Sequence, residues 1–103
     1  MSLDGATDVQ EENNIPSEFT LEQNYPNPFN PSTSISFGLP VDSKVRLSVY
    51  NLLGEMVKEI ANEEFSAGAH TLSFNADGLT SGVYFYRLES GIFLATRKMI
   101  ILQ

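Results

Sequence analysis

The chain has 103 residues, 42% of them apolar, with one histidine and no cysteine; this suits one small globular domain and excludes a disulfide framework, thiolate chemistry and a Cys-based zinc site. Thirteen acids against six basic residues give a net charge of −7, which argues against nucleic acid as a partner, because neutralising phosphates needs a basic patch. No window supplies the roughly 20 apolar residues of a membrane-spanning helix, and the opening MSLDGATDVQ has neither the basic nor the apolar part of a secretory signal.

The charge is unevenly placed. Residues 1–43 hold seven acids (Asp4, Asp8, Glu11, Glu12, Glu18, Glu22, Asp42) and no Lys or Arg, whereas the six acids after them are matched by Lys44, Arg46, Lys58, Arg87, Arg97 and Lys98. The whole net charge therefore sits in the N-terminal part. An acidic, polar segment with few large apolar groups predicts a solvated, flexible linker over residues 1–18, with Met1–Leu3 read as an added leader on a piece of a longer protein. A domain is expected over 19–103.

Its first stretch is NYPNPFNPST, Asn24 to Thr33. Residues before proline are pushed out of the α region, so Tyr25, Asn27 and Asn30 must be extended or in turns. Asparagine closes turns on its own backbone, and proline donates nothing to a ladder. A stiff, non-helical lead-in follows, with Tyr25 and Phe29 available to pin it onto the domain. Pro28-Phe29-Asn30-Pro31 also fits P-x-x-P, a short pattern that occurs often by chance.

From Thr33 onward the period is two. Ile35, Phe37 and Leu39 alternate with small residues, and Val45, Leu47 and Val49 with Lys44, Arg46 and Ser48. Leu72 and Phe74 repeat the pattern in HTLSFN. Each run reads as a strand with one buried and one wet face. EMVKEIANEEF is ambiguous: Met56, Val57 and Ile60 have helical spacing, yet the context and the turn at Ser66–Gly68 favour a strand in a hairpin. GVYFYRL is apolar on both parities and suits a central strand, and IFLATRKMIIL reads as the last strand, joined to it by a hairpin at Glu89–Gly91. Gly54, Gly68, Gly78, Gly82 and Gly91 mark turns. The fold class is all-β, an immunoglobulin-like antiparallel sandwich of about seven strands, and Leu79, Gly82 and Tyr84 resemble a tyrosine corner at tighter spacing.

Catalytic groups are scarce. His70 lies in a turn-to-strand segment without partners for a metal or nucleophile site. Glu63 and Glu64 are adjacent and on a strand point to opposite faces, so they make no acid/base pair. Asp77-Gly78 is a turn without the carboxylate spacing of a calcium loop, and no phosphate-cradling loop is present. Asn30-Pro31-Ser32 has proline where a glycosylation acceptor forbids it. No enzyme, cofactor, catalytic residue or metal ligand is expected. Tyr84 and Tyr86 share one parity; exposed, they would stack on sugar rings, and buried, they would be core.

Several separated motifs occur in one order: Tyr25-Pro26-Asn27-Pro28, then Val49-Tyr50-Asn51 with Gly54 three residues later, then Ser81-Gly82-Val83-Tyr84, then Arg97-Lys98. Over residues 19–103 this resembles the type A C-terminal sorting domain of type IX (Por) secretion cargo, itself similar to the immunoglobulin-like domain of flagellar hook-capping proteins. The resemblance implies a non-catalytic module at the end of an exported protein, recognised by the outer-membrane translocon and removed by its sorting peptidase in the linker. It implies a covalently linked upstream cargo domain and a secreted or cell-surface destination. The motif positions it carries over are Tyr25, Pro26, Asn27, Pro28, Asn51, Gly54, Gly82, Tyr84 and Lys98. Arg97 and Lys98, with no acid after Glu89, leave the terminal hairpin locally positive. The alternative is a carbohydrate-binding or adhesive sandwich appended to a secreted hydrolase.

Overall fold

In the computed structural model, which describes residues 15–103, the chain forms seven strands. They are β1 (Thr20–Leu21), β2 (Ser32–Leu39), β3 (Ser43–Tyr50), β4 (Met56–Phe65), β5 (Gly68–Asn75), β6 (Gly82–Ser90) and β7 (Phe93–Ile101). The expected linker up to residue 14 lies outside the described residues. Two antiparallel sheets pack face to face, one of three strands in the order β1-β2-β5 and one of four in the order β4-β3-β6-β7. Among the described residues no helix is long and apolar enough to cross a membrane.

The period-two runs explain the core. Ile35, Phe37 and Leu39 from β2 and Phe74 from β5 meet Val45, Leu47 and Val49 from β3, Tyr84, Tyr86 and Leu88 from β6, and Met99 and Ile101 from β7. Each is the inward parity of its strand. Burying such side chains contributes about 1.5–3 kcal/mol apiece before the entropy of ordering them is subtracted.

β4 is a strand despite its local helix preference, and its register shows why the sequence looks helical. Ala61 pairs with Leu47 but Glu59 with Ser48, and Lys58 pairs with Val49 but Met56 with Tyr50. Ile60 and Val57 are thus the extra residues of two bulges. Each bulge resets parity by one, so Val57, Ile60, Ala61 and Phe65 all reach the core although their spacing is not two. The expected hairpin at Ser66–Gly68 is corrected: β4 forms its hairpin with β3, and Ser66–Ala67 crosses to the other sheet, with Ala67 N donating to Asp42 Oδ1 at 2.8 Å. In the antibody constant arrangement the fourth strand would instead join the first, second and fifth.

The five glycines read as turn positions all have positive φ. Tyr84 Oη donates to the Thr80 carbonyl at 2.9 Å, the bond that a tyrosine corner requires. His70 is half-buried in the hairpin-side aromatic cluster, between Phe37 and Phe65, with Nε2 2.7 Å from the Ser66 carbonyl.

Registers define two ends. Ser32 pairs with Asn75, Tyr50 with Phe85 and Gly82 with Ile101, so one end collects the β3–β4 turn, the β5–β6 loop and residues 24–31. At the other, Thr20 pairs with Gly38 and Ser90 with Phe93, and residues 15–19 arrive there. Gly38 lets the chain approach closely at this linker end, where a Cβ would stand 2.7 Å from Pro16 Cγ and 2.8 Å from Thr20 Oγ1.

Candidate functional site

All the motif positions named from the sequence except Arg97 gather at the first of these ends. The lead-in NYPNPFNP runs beside the outer edge of β7. Its Phe29 is 3% exposed, but Tyr25 is 81% exposed, so only the phenylalanine pins the segment and the expectation for the tyrosine is corrected. Tyr25 contributes its backbone instead, exchanging two 3.0 Å bonds with Ser34. The three X-Pro bonds at Pro26, Pro28 and Pro31 are cis.

Polar side chains make the lead-in fit. Asn24 is buried: its amide donates to the Pro26 carbonyl at 3.1 Å and to Thr33 Oγ1 at 3.0 Å, and its Oδ1 accepts from Gln23 at 2.7 Å. Its backbone N–H donates to Tyr86 Oη at 2.8 Å, and that hydroxyl donates to the Glu22 carbonyl at 2.6 Å. Burial raises the Tyr86 phenol above its ordinary value, against smaller opposing effects of the Asn24 bond and of Arg97.

The edge of β7 is satisfied by the same segment. Lys98 O accepts from Gln23 Nε2 at 2.7 Å, Ile100 N donates to Asn27 Oδ1 at 2.9 Å, Phe29 N donates to Ile100 O at 3.1 Å, and Leu102 N donates to Phe29 O at 2.9 Å. A strand edge that would otherwise template pairing with another chain is thereby closed over 98–102. Gln103 completes the clasp, its N–H donating to Ser81 Oγ at 2.7 Å and its side-chain amide to the Ala76 carbonyl at 2.8 Å.

Asn51 and Gly54 build the β3–β4 turn. Asn51 Oδ1 accepts from Leu53 N at 2.9 Å and Glu55 N at 3.0 Å, while its Nδ2 donates to Glu55 Oε1 at 2.8 Å. Gly54 donates to the Asn51 carbonyl at 3.0 Å and adopts φ +84°, a left-handed conformation that costs an ordinary L residue about 1–2 kcal/mol. These bonds hold up two exposed leucines, Leu52 at 68% and Leu53 at 83%. Asn51 and Leu52 line two shallow concavities, one of about 230 Å³ against Thr80–Tyr84 and one of about 270 Å³ against Tyr50, Phe85, Arg87 and Thr96.

Gly82 opens β6 with φ +149°, and Tyr84 is buried beside it. Tyr86 is buried as well, so the two tyrosines are core and offer no face for a sugar ring. Arg97 and Lys98 are parted: they occupy opposite parities of β7, with Arg97 Nε donating to the Leu21 carbonyl at 2.6 Å and Lys98 on the outer face across from Phe85. Asn24, Phe29, Thr33 and Gln103 were not singled out as site residues from the sequence; the asparagine before Tyr-Pro was the available signal, since a buried asparagine closes a turn through its amide. Among the described residues no group of three or more His, Cys, Asp or Glu side chains is placed to hold a metal ion.

No curated protein and no solved structure matches the chain. A protein family does, over residues 23–102, which span the lead-in, the Asn51 turn, the Gly82 strand and the β7 edge. The chain belongs to the family of secretion system C-terminal sorting domains.

Proposed function

We propose that residues 19–103 are an immunoglobulin-like address module that brings a covalently attached cargo to the type IX outer-membrane translocon, and that residues 1–18 are the tether in which the sorting peptidase cuts. Membership of the sorting family supports export to the cell surface or beyond and a non-enzymatic role. The observation that carries the reading further is the convergence of Asn27, Pro28, Asn51, Gly54, Gly82 and Tyr84 on one end of the sandwich, with Tyr25, Pro26 and Lys98 at its border. Motifs scattered over more than seventy residues of sequence form one surface there. Tyr84 is buried and Asn51 and Gly82 are half-buried, whereas Tyr25, Pro26, Asn27, Pro28, Gly54 and Lys98 are exposed.

The test is a reporter fused upstream of residues 1–103 in a bacterium with type IX secretion. The fusion is expected outside the cell, and the same reporter lacking residues 19–103 is expected in the periplasm. Normal export without those residues refutes the sorting role. Within the intact module, Lys98→Glu is expected to cut export, and unchanged export removes Lys98 from recognition.

A further inference from the structure

Exposed large apolar side chains occur at both ends, Ile15, Val41, Ile92 and Leu94 toward the linker end and Tyr25, Leu52, Leu53, Met56 and Leu102 toward the motif end, so what distinguishes the ends is arrangement. Single ones at turns are ordinary on a protein surface, and Val41 and Ile92 at the linker end are of that kind. At the motif end Leu52 and Leu53 are adjacent, held by the Asn51 bonds, and continuous with an outer-face row. That row is set by register: Met56 pairs with Tyr50, Tyr50 with Phe85, and Phe85 with Lys98. Met56 is exposed and Tyr50 and Phe85 are half-buried, so the row is apolar until its last member, a lysine.

Charge bears on the same place, with Lys44 and Lys98 the outer-face cations that have no ion pair among the described residues. Of the outer-face cations, Arg46 lies 2.9 Å from Glu59 and Arg87 3.1 Å from Glu89, although Arg87 Nε lacks hydrogen-bond alignment to that carboxylate. Lys44 sits at the linker end opposite Glu64. Among the described residues Lys98 has no carboxylate within ion-pair distance. Arg87 is turned onto the Tyr50 ring, 4.6 Å from its centroid, and donates to its hydroxyl at 2.8 Å.

We propose that the Leu52–Leu53 knuckle and the Met56–Tyr50–Phe85 row, ending at Lys98, dock into an apolar cleft of a protein partner that presents a carboxylate to the lysine. A convex pair of leucines held by directed hydrogen bonds is preorganised to enter a cleft, so little ordering entropy opposes the contact. The central apolar anchor with a charge at its rim is the usual anatomy of a specific protein surface. Charge complementarity favours a protein carboxylate over an anionic lipid surface, because attraction to headgroups takes a cluster of basic residues whereas one lysine is enough to pair with one carboxylate. This inference rests on the sorting reading and identifies the partner as a component of the translocon.

The test places a photoreactive benzoylphenylalanine at position 53 of the exported reporter fusion, with position 41 as the matched exposed site at the linker end. An adduct with an outer-membrane translocon protein from position 53, at least tenfold stronger than from position 41, is expected. Adducts with lipid only, with a second copy of the fusion only, or equally from both positions overturn it. Leu53→Asp and Leu52→Asp are expected to keep the thermal midpoint of the purified chain and to lower export at least tenfold. Normal export of both variants, while deletion of 19–103 still retains the reporter, overturns the docking surface and leaves sorting intact. Export of the deleted fusion overturns the sorting reading itself.

Discussion

The two ends of the sandwich are built by different means. At the linker end the connections are short and carry side-chain bonds of their own, at Asp42, Ser43, His70 and Ser90, but the arriving chain is located by shape: Pro16 lies over Gly38, and Phe19 stacks on Phe93 with centroids 5.1 Å apart. At the motif end the connections are held by side-chain amides and hydroxyls that bond to backbone, from Asn24, Asn27, Asn51, Thr33, Ser81 and Gln103. Directed bonds fix a surface more sharply than contact between apolar shapes, because a displaced amide leaves a buried partner unsatisfied. On the proposed function, in which one end is read and the other joined to cargo, the ends have reason to differ in this way.

Removing the aromatic pin is the strongest way to break the contrast. Phe29→Ala is expected to lower stability by about 3–5 kcal/mol, as truncation of a buried phenylalanine does, and chemical denaturation reads it. Hydrogen exchange should show the loss first at Ile100 and Leu102, whose bonds to the lead-in depend on Phe29 and Asn27. A loss spread evenly over both ends would deny that the motif end is a separate device.

Tyr86→Phe is next, expected to cost about 1–3 kcal/mol because the Asn24 N–H and the Glu22 carbonyl both lose their partner. Titration supplies an independent reading. A phenol whose folded value lies above its unfolded one binds its proton more tightly when folded. Its contribution is therefore complete below about pH 10 and falls as pH rises through the folded value. The wild-type chain should lose stability above that point with a steeper slope than Tyr86→Phe, and equal slopes would contradict the shift.

Asn51→Ala tests the turn alone, at an expected cost of about 1–2 kcal/mol for three side-chain bonds near the surface. The resonances of Leu52 and Leu53 should become averaged by motion while those of Val41 and Ile92 stay as they were. The smallest effect belongs to the linker end. Gly38→Ala is expected to cost about 1 kcal/mol, the low end for an overpacked site, since the new methyl meets the Pro16 ring and the Thr20 hydroxyl, side-chain atoms rather than backbone. Protease sensitivity between residues 15 and 20 should then rise without any change at the motif end.

Much of the fold was legible because it rests on local rules. The inward parities of β2, β3 and β5 and the glycine turns follow from strand geometry and positive φ, which neighbours in sequence reveal. β4 was ambiguous for a specific reason: two bulges convert a period of two into a spacing that imitates a helix, and bulges belong to the pairing of strands. The fate of Tyr25 was hidden likewise. Its ring and that of Phe29 occupy similar sequence contexts, and only the position of the β7 edge decides which is covered. The division of Arg97 from Lys98 follows from strand parity and was available in principle. The acceptor that occupies Arg97, the carbonyl of Leu21, is 76 residues away and leaves no trace in local pattern.

The chain arrives at one end and runs along β2 and β7 to the other before its first full strand begins. Eight residues of strand, the length of β2, span about 26 Å at roughly 3.3 Å per residue, so a pull on the chain from the linker end against a fixed motif end would draw the lead-in lengthwise. The bonds from Thr20 to Phe29 are then loaded together in shear and cannot be unzipped one at a time. Mechanically, a lengthwise load on the lead-in is borne by all these bonds at once.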